Sequence, residues 1–100
     1  MATLFEETRI GNIRIPNRFV RSATWEGLAD DDDFCTDKLT EMMKQLVLGE
    51  VGLIITGHTF VTQVGKAGVR QLGIYSDDHV SGLKKMVLAV HDMGGRIVMQ

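Results

Sequence analysis

Three short apolar runs, Phe19-Val20, Leu53-Ile54-Ile55 and Ile97-Val98-Met99, are spread along the chain, and each stops abruptly in polar or small residues. The stops are Ser22-Ala23-Thr24, Thr56-Gly57-His58 and Gln100. Runs that are apolar on consecutive positions fit strands covered on both faces, as in a parallel sheet. The loops after such strands converge on one face, where α/β proteins carry their chemistry. The third run coincides with the last residue, so the chain reads as the opening part of something larger.

The segments between the runs carry the helical period. Thr36 is positioned to cap a helix, with Asp37 favourably placed at the positive dipole end. Leu39, Met42, Met43, Leu46 and Val47 then follow the i, i+3, i+4, i+7, i+8 stripe of a helix packed on one face. Gly49 or Gly52 ends it. A second helix is expected from Ser76, Asp77 and Asp78, with Val80, Leu83, Val87 and Val90 as its buried stripe and Gly94 as its stop. His79 and His91 fall on this helix and read as surface residues.

Ahead of the first run, Gly11-Asn12 separates two alternating arms over residues 8–15. This is a two-residue hairpin signal, because both residues tolerate positive φ. Pro16 cannot donate to a ladder and ends the hairpin. Residues 18–21 form the first interior strand, 53–56 the second and 96–100 the third. Residues 26–33, with four consecutive aspartates, read as a solvated loop. Residues 57–75 contain four glycines and no helical period, and so read as one long loop.

Composition removes several function classes. Eleven Lys and Arg against thirteen Asp and Glu leave no basic excess for nucleic acid. No run approaches the ~20 apolar residues of a membrane span, and the start lacks the basic and apolar regions of a signal peptide. Cys35 is the single cysteine, which excludes an internal disulfide and suits a reducing, cytoplasmic location. Asp30, Asp32 and Glu41 fall at calcium-loop positions 1, 3 and 12, but Cys35 stands where glycine is needed and no helix precedes. No Cys or His spacing suggests zinc, so no metal is expected. The acidic run beside Cys35 would raise its pKa rather than activate it.

The order hairpin, β, α, β, α, β fits either the start of a (β/α)8 barrel or part of an open doubly wound sheet, with right-handed crossovers. A Rossmann unit would place Gly-x-Gly-x-x-Gly after the first strand. Here that turn, Ser22-Ala23-Thr24-Trp25-Glu26-Gly27, has a single glycine.

An ordered series of motifs adds a resemblance that pattern alone does not supply. Leu4-Phe5-Glu6, Ile10-Gly11-Asn12, Asn17-Arg18-Phe19-Val20, Val51-Gly52-Leu53-Ile54-Ile55, Gln71-Leu72-Gly73-Ile74-Tyr75 and Gly94-Gly95-Arg96-Ile97-Val98-Met99-Gln100 run across essentially the whole chain. Together they resemble the N-terminal part of the Old Yellow Enzyme family. These are FMN-dependent NAD(P)H:flavin oxidoreductases and ene-reductases built on a TIM barrel.

The resemblance implies that residues 1–100 are a single segment of a flavin-binding α/β barrel, comprising a hairpin plus β-α-β-α-β. It implies that Ser22, Ala23, Thr24 and Trp25 lie along FMN and donate backbone hydrogen bonds. Gly57 or His58 stands beside the ring, and Gln100 binds the flavin pyrimidine edge, where an amide offers a donor and an acceptor together. Trp25 departs from the Thr or Cys frequent at its position and can donate only through its indole N–H. His58 is larger than the small residue frequent there.

The implied reaction passes a hydride from NADH or NADPH through flavin N5 to an activated alkene or similar small-molecule acceptor. A full barrel needs about 250 residues and eight strands. The substrate-binding His/Asn or His/His pair, the proton-donor tyrosine and the phosphate-binding loops would come from later strands, so none of the present residues is assigned a catalytic role. The 100-residue chain alone is expected to be inactive. As alternatives, it is a non-catalytic structural module or a small nucleotide-binding domain, and its open sheet edges favour homo-oligomers.

Overall fold

The computed structural model describes residues 3–100. It opens with a hairpin of β1 (Thr8–Ile10) and β2 (Ile13–Ile15), paired antiparallel with Arg9 opposite Arg14 and Ile10 opposite Ile13. Gly11 takes φ +59°, as the two-residue turn requires. Next come β3 (Val20–Arg21), α1 (Asp37–Leu48), β4 (Leu53–Ile55), α2 (Val80–Asp92) and β7 (Ile97–Val98), with β5 (Thr59–Phe60) and β6 (Leu72–Gly73) between β4 and α2. Among the described residues no helix is long and apolar enough to cross a membrane.

The central sheet is parallel and ordered β3-β4-β7. Val20 lies opposite Leu53 and Arg21 opposite Ile54, while Ile54 also pairs with Ile97 and Ile55 with Val98. This is the β-α-β-α-β order expected from the three runs, with each strand shorter than the expected 18–21, 53–56 and 96–100. Asn17 anchors the start of the sheet. Its amide donates to the Glu50 carbonyl, its side-chain oxygen accepts from the Phe19 amide, and it fills the space where any side chain at Gly52 would stand.

Both helices pack over this sheet, and their apolar residues form one core with it: Leu39, Met43, Ile54, Leu83, Met86 and Val90. Thr36 caps α1 as expected, its Oγ1 accepting from the Leu39 amide at 3.2 Å while donating to the Leu28 carbonyl at 2.6 Å. Gly49 is the stop of α1, and Glu50 rather than a glycine takes the left-handed conformation after it, at φ +69°. Gly94, at φ +80°, follows the C-cap of α2.

Three expectations are corrected. Ser76 does cap a turn, with Asp78 N bonded to its Oγ, but the turn is a 3₁₀ segment (Asp77–His79) and the α-helix begins only at Val80. Within α2 Val80, at the first position, is exposed and Val87 is half-buried, while Met86 joins Leu83 and Val90 inside. Residues 57–75 are not one loop, because β5 and β6 pair in parallel, Thr59 opposite Leu72 and Phe60 opposite Gly73.

The third correction concerns the region beside these strands. His79 is buried, stacked on Phe34 at 4.5 Å and edge-on to Tyr75 at 4.6 Å. Asp33 is buried too, instead of lying in a solvated run. It holds φ +74° and pairs with Lys66 at 2.6 Å, while the Tyr75 hydroxyl donates to its other oxygen. Sequence pattern ranks histidine and aspartate as surface residues, and only partners from distant segments make their burial tolerable.

Candidate functional site

Parallel pairing brings the carboxyl ends of β3, β4 and β7 to one edge of the sheet. Residues 22–25, Gly57 with His58, and Gln100 therefore meet there. Four hydrogen bonds made by Arg21 and Glu26, two within the loop and two across to the end of β4, hold the first two groups together. Arg21 Nη1 donates to Glu26 Oε2 at 2.8 Å and to the Ile55 carbonyl at 2.9 Å, and Nη2 donates to the Thr24 carbonyl at 2.9 Å. The Gly57 amide donates to Glu26 Oε2 at 2.8 Å.

Gly57 is buried, and the absence of a side chain is a packing requirement. A Cβ there would stand 2.6 Å from Glu26 Oε1 and 2.7 Å from the Thr24 carbonyl oxygen. The close approach that glycine allows is thus to the neighbouring loop. Sequence pattern places Glu26 in a solvated loop, yet its side chain is 5% exposed and Arg21's is 13%. Opposite charges five residues apart across a strand end were the signal in the sequence, although that spacing lacks the periodic meaning it would have on a helix.

Gln100 is fixed through its backbone. Its amide donates to Thr56 Oγ1 at 3.2 Å and its carbonyl accepts from the Thr59 amide at 2.9 Å. Thr56 itself is fully buried and its hydroxyl donates to the Gly57 carbonyl at 3.0 Å. Among the described residues, the side-chain amide of Gln100 and the backbone amides of Ala23, Thr24 and Trp25 meet no hydrogen-bond partner. The edge therefore presents free backbone donors on one side and a free donor-acceptor amide on the other. That set fits a planar heterocycle bearing alternating N–H and C=O groups.

Trp25 and His58 share a shallow groove of about 390 Å³ with Ala67, Gly68 and Val69. Other grooves have similar volumes, from about 310 to 410 Å³, so size does not select the site and the chemistry of the strand ends does. The Trp25 ring lies against Gly27, which takes φ +67°. Gln71 holds the outer wall of the groove. Its Oε1 accepts from the Ala67 amide at 2.7 Å and its Nε2 donates to the His58 carbonyl at 3.3 Å. Gln71 is buried, and sequence reasoning gave it no such role.

Other tempting residues sit apart from this edge. Cys35 packs against Met86 and Thr40, and burial, more than the nearby Asp37 and Glu26 carboxylates, pushes its thiol pKa up. Its expected lack of activation holds, with desolvation as the leading cause. His91 is exposed. Among the described residues, no three or more His, Cys, Asp and Glu side chains come together in a way that could hold a metal ion.

Comparison with known proteins bears on the family and the fold. Residues 3–100 match the model of the NADH:flavin oxidoreductase / NADH oxidase family. The chain is 36% identical over 98 residues to an NADH oxidase of Thermoanaerobacter brockii, covering 97% of this chain and 15% of that one. It is 35% identical over 101 residues to an NADPH dehydrogenase of a Geobacillus species, covering 97% of this chain and 29% of that one. Its structure matches the old yellow enzyme homologue from Zymomonas mobilis with a TM-score of 0.92 and 32% identity, over 99% of this chain and 27% of the other. The chain thus spans less than a third of the length of these relatives.

Proposed function

This chain belongs to the NADH:flavin oxidoreductase / NADH oxidase family, to which the Old Yellow Enzymes belong, and on that premise we propose that it forms the opening β/α units of a (β/α)8 barrel that binds FMN. The bound FMN would supply the redox chemistry, taking a hydride from NADH or NADPH at N5 and delivering it to an activated alkene or similar small molecule. The observation that carries the reading is the convergence of free backbone donors at residues 23–25 with the free Gln100 amide at one sheet edge.

In this proposal the chain's own residues bind and orient. Ser22, Ala23, Thr24 and Trp25 line the cofactor with backbone donors, and the Trp25 indole N–H adds one side-chain donor. Gln100 pairs with the pyrimidine edge through both ends of its amide, its position fixed by Thr56 and Thr59. Gly57 and His58 form the wall between them. Donors held rigidly at the ring also stabilise the negative charge that reduction places there. Substrate orientation and proton transfer fall to residues beyond these.

Purification of the full-length gene product tests the reading. The expected result is a yellow protein that releases FMN on denaturation and oxidises NADH or NADPH in the presence of an activated alkene. Gln100→Ala is expected to weaken FMN binding about tenfold, the worth of a pair of hydrogen bonds. A colourless protein that takes up no FMN on titration would overturn the proposal.

A further inference from the structure

Building on the flavin reading, we propose that Arg21 and Glu26 are positioning residues, a buried ion pair that sets the cofactor-facing backbone of residues 22–25 against the end of β4. Arg21 stands at the start of that segment and Glu26 directly after it, so their 2.8 Å contact closes the segment into a short loop. The same guanidinium donates inside the loop to the Thr24 carbonyl and across to the Ile55 carbonyl of β4, and Glu26 takes the Gly57 amide. The other internal tie is one bond from Thr24 Oγ1 to the Ser22 carbonyl at 3.1 Å. The pair is therefore the main restraint on where the free amides of residues 23–25 stand.

Stability alone is a poor explanation for the pair. Taking two charges out of water costs about as much as their attraction returns, and apolar residues of similar volume do as well or better. A guanidinium fork offers something apolar residues lack, because it satisfies several acceptors in fixed directions at once. Here those acceptors are a carboxylate and the carbonyls of two different chain segments. Neither side chain needs to touch the cofactor for its loss to misplace groups that do.

The experiment uses the full-length protein loaded with FMN. The double variant Arg21→Met with Glu26→Met removes both charges together, so neither is left buried alone. It is expected to keep the wild-type circular dichroism while binding FMN about tenfold more weakly, with a displaced visible flavin band and a shifted midpoint potential. Arg21→Lys keeps the ion pair but loses the fork, and is expected to give intermediate affinity and a displaced band. It decides the matter if the double variant does not fold. Variants with the affinity, spectrum and potential of the wild type would overturn the positioning role while leaving the flavin reading intact. A wild type that binds no FMN overturns both.

Discussion

Cys35 carries a clear test at the scale of one residue. Burial raises its thiol pKa above the ordinary 9.0, so the folded protein keeps the proton at a pH where the unfolded chain loses it. Its contribution to stability is complete below 9.0 and is lost as pH rises toward the higher folded value. Iodoacetamide modification of the Cys35 peptide, followed by mass spectrometry across pH, is expected to show a midpoint above that of a free thiol. A midpoint at or below it would contradict the burial. His79 gives a second residue-scale lesson. Its Nδ1 lies 3.2 Å from the Ser76 carbonyl, and among the described residues its buried Nε2 meets no hydrogen-bond partner. No local pattern announces such a ring. It is buried by Phe34 and Tyr75, which arrive from other segments.

Among the elements, α1 depends most visibly on its start. Thr36 accepts from Leu39 N and donates to the Leu28 carbonyl, joining the cap to the loop that leaves β3. Thr36→Ala is expected to cost about 1 kcal/mol in chemical denaturation of the full-length protein, and Thr36→Ser to restore most of it. Equal stability for all three would show that the cap contributes nothing. Between the helices, the Asp37 carboxylate lies 2.8 Å from the Lys85 ammonium. The hydrogen bond lowers the pKa of Asp37 and raises that of Lys85. Stability from Asp37 is therefore lost as pH falls through its lowered value, and that from Lys85 as pH rises through its raised one. Both groups are fully exposed, so water and salt screen the pair. The short strands β5 and β6 show the limit of pattern at this scale. Two residues are too few for an alternation to register, and their pairing joins positions more than ten residues apart.

On the scale of the whole molecule, β3 and β7 are the outer strands of the three-stranded sheet, and Val20 and Val98 on them are 46% and 40% exposed. A barrel would continue the sheet past both edges. A polypeptide of residues 1–100 alone is expected to be colourless, to show no NAD(P)H oxidation above that of free FMN, and to self-associate in sedimentation velocity through these edges. A yellow, active monomer would contradict all three expectations.

The order of strands and helices, the hairpin turn and the α1 cap were legible in the residues because each rests on local physics: helical period, apolar runs and the φ freedom of Gly11. The three polar stops could be placed at one edge because neighbouring parallel strands end on the same side. Long-range contact governed the rest. Asp33 and His79 turn inward because distant partners offset the cost of burying them, and Met86 rather than Val87 is fully buried on α2 because of what packs against that face. Arg21 and Glu26 become a tie between loops only when β3 lies beside β4, since an ion pair exists in space and leaves no period along the chain.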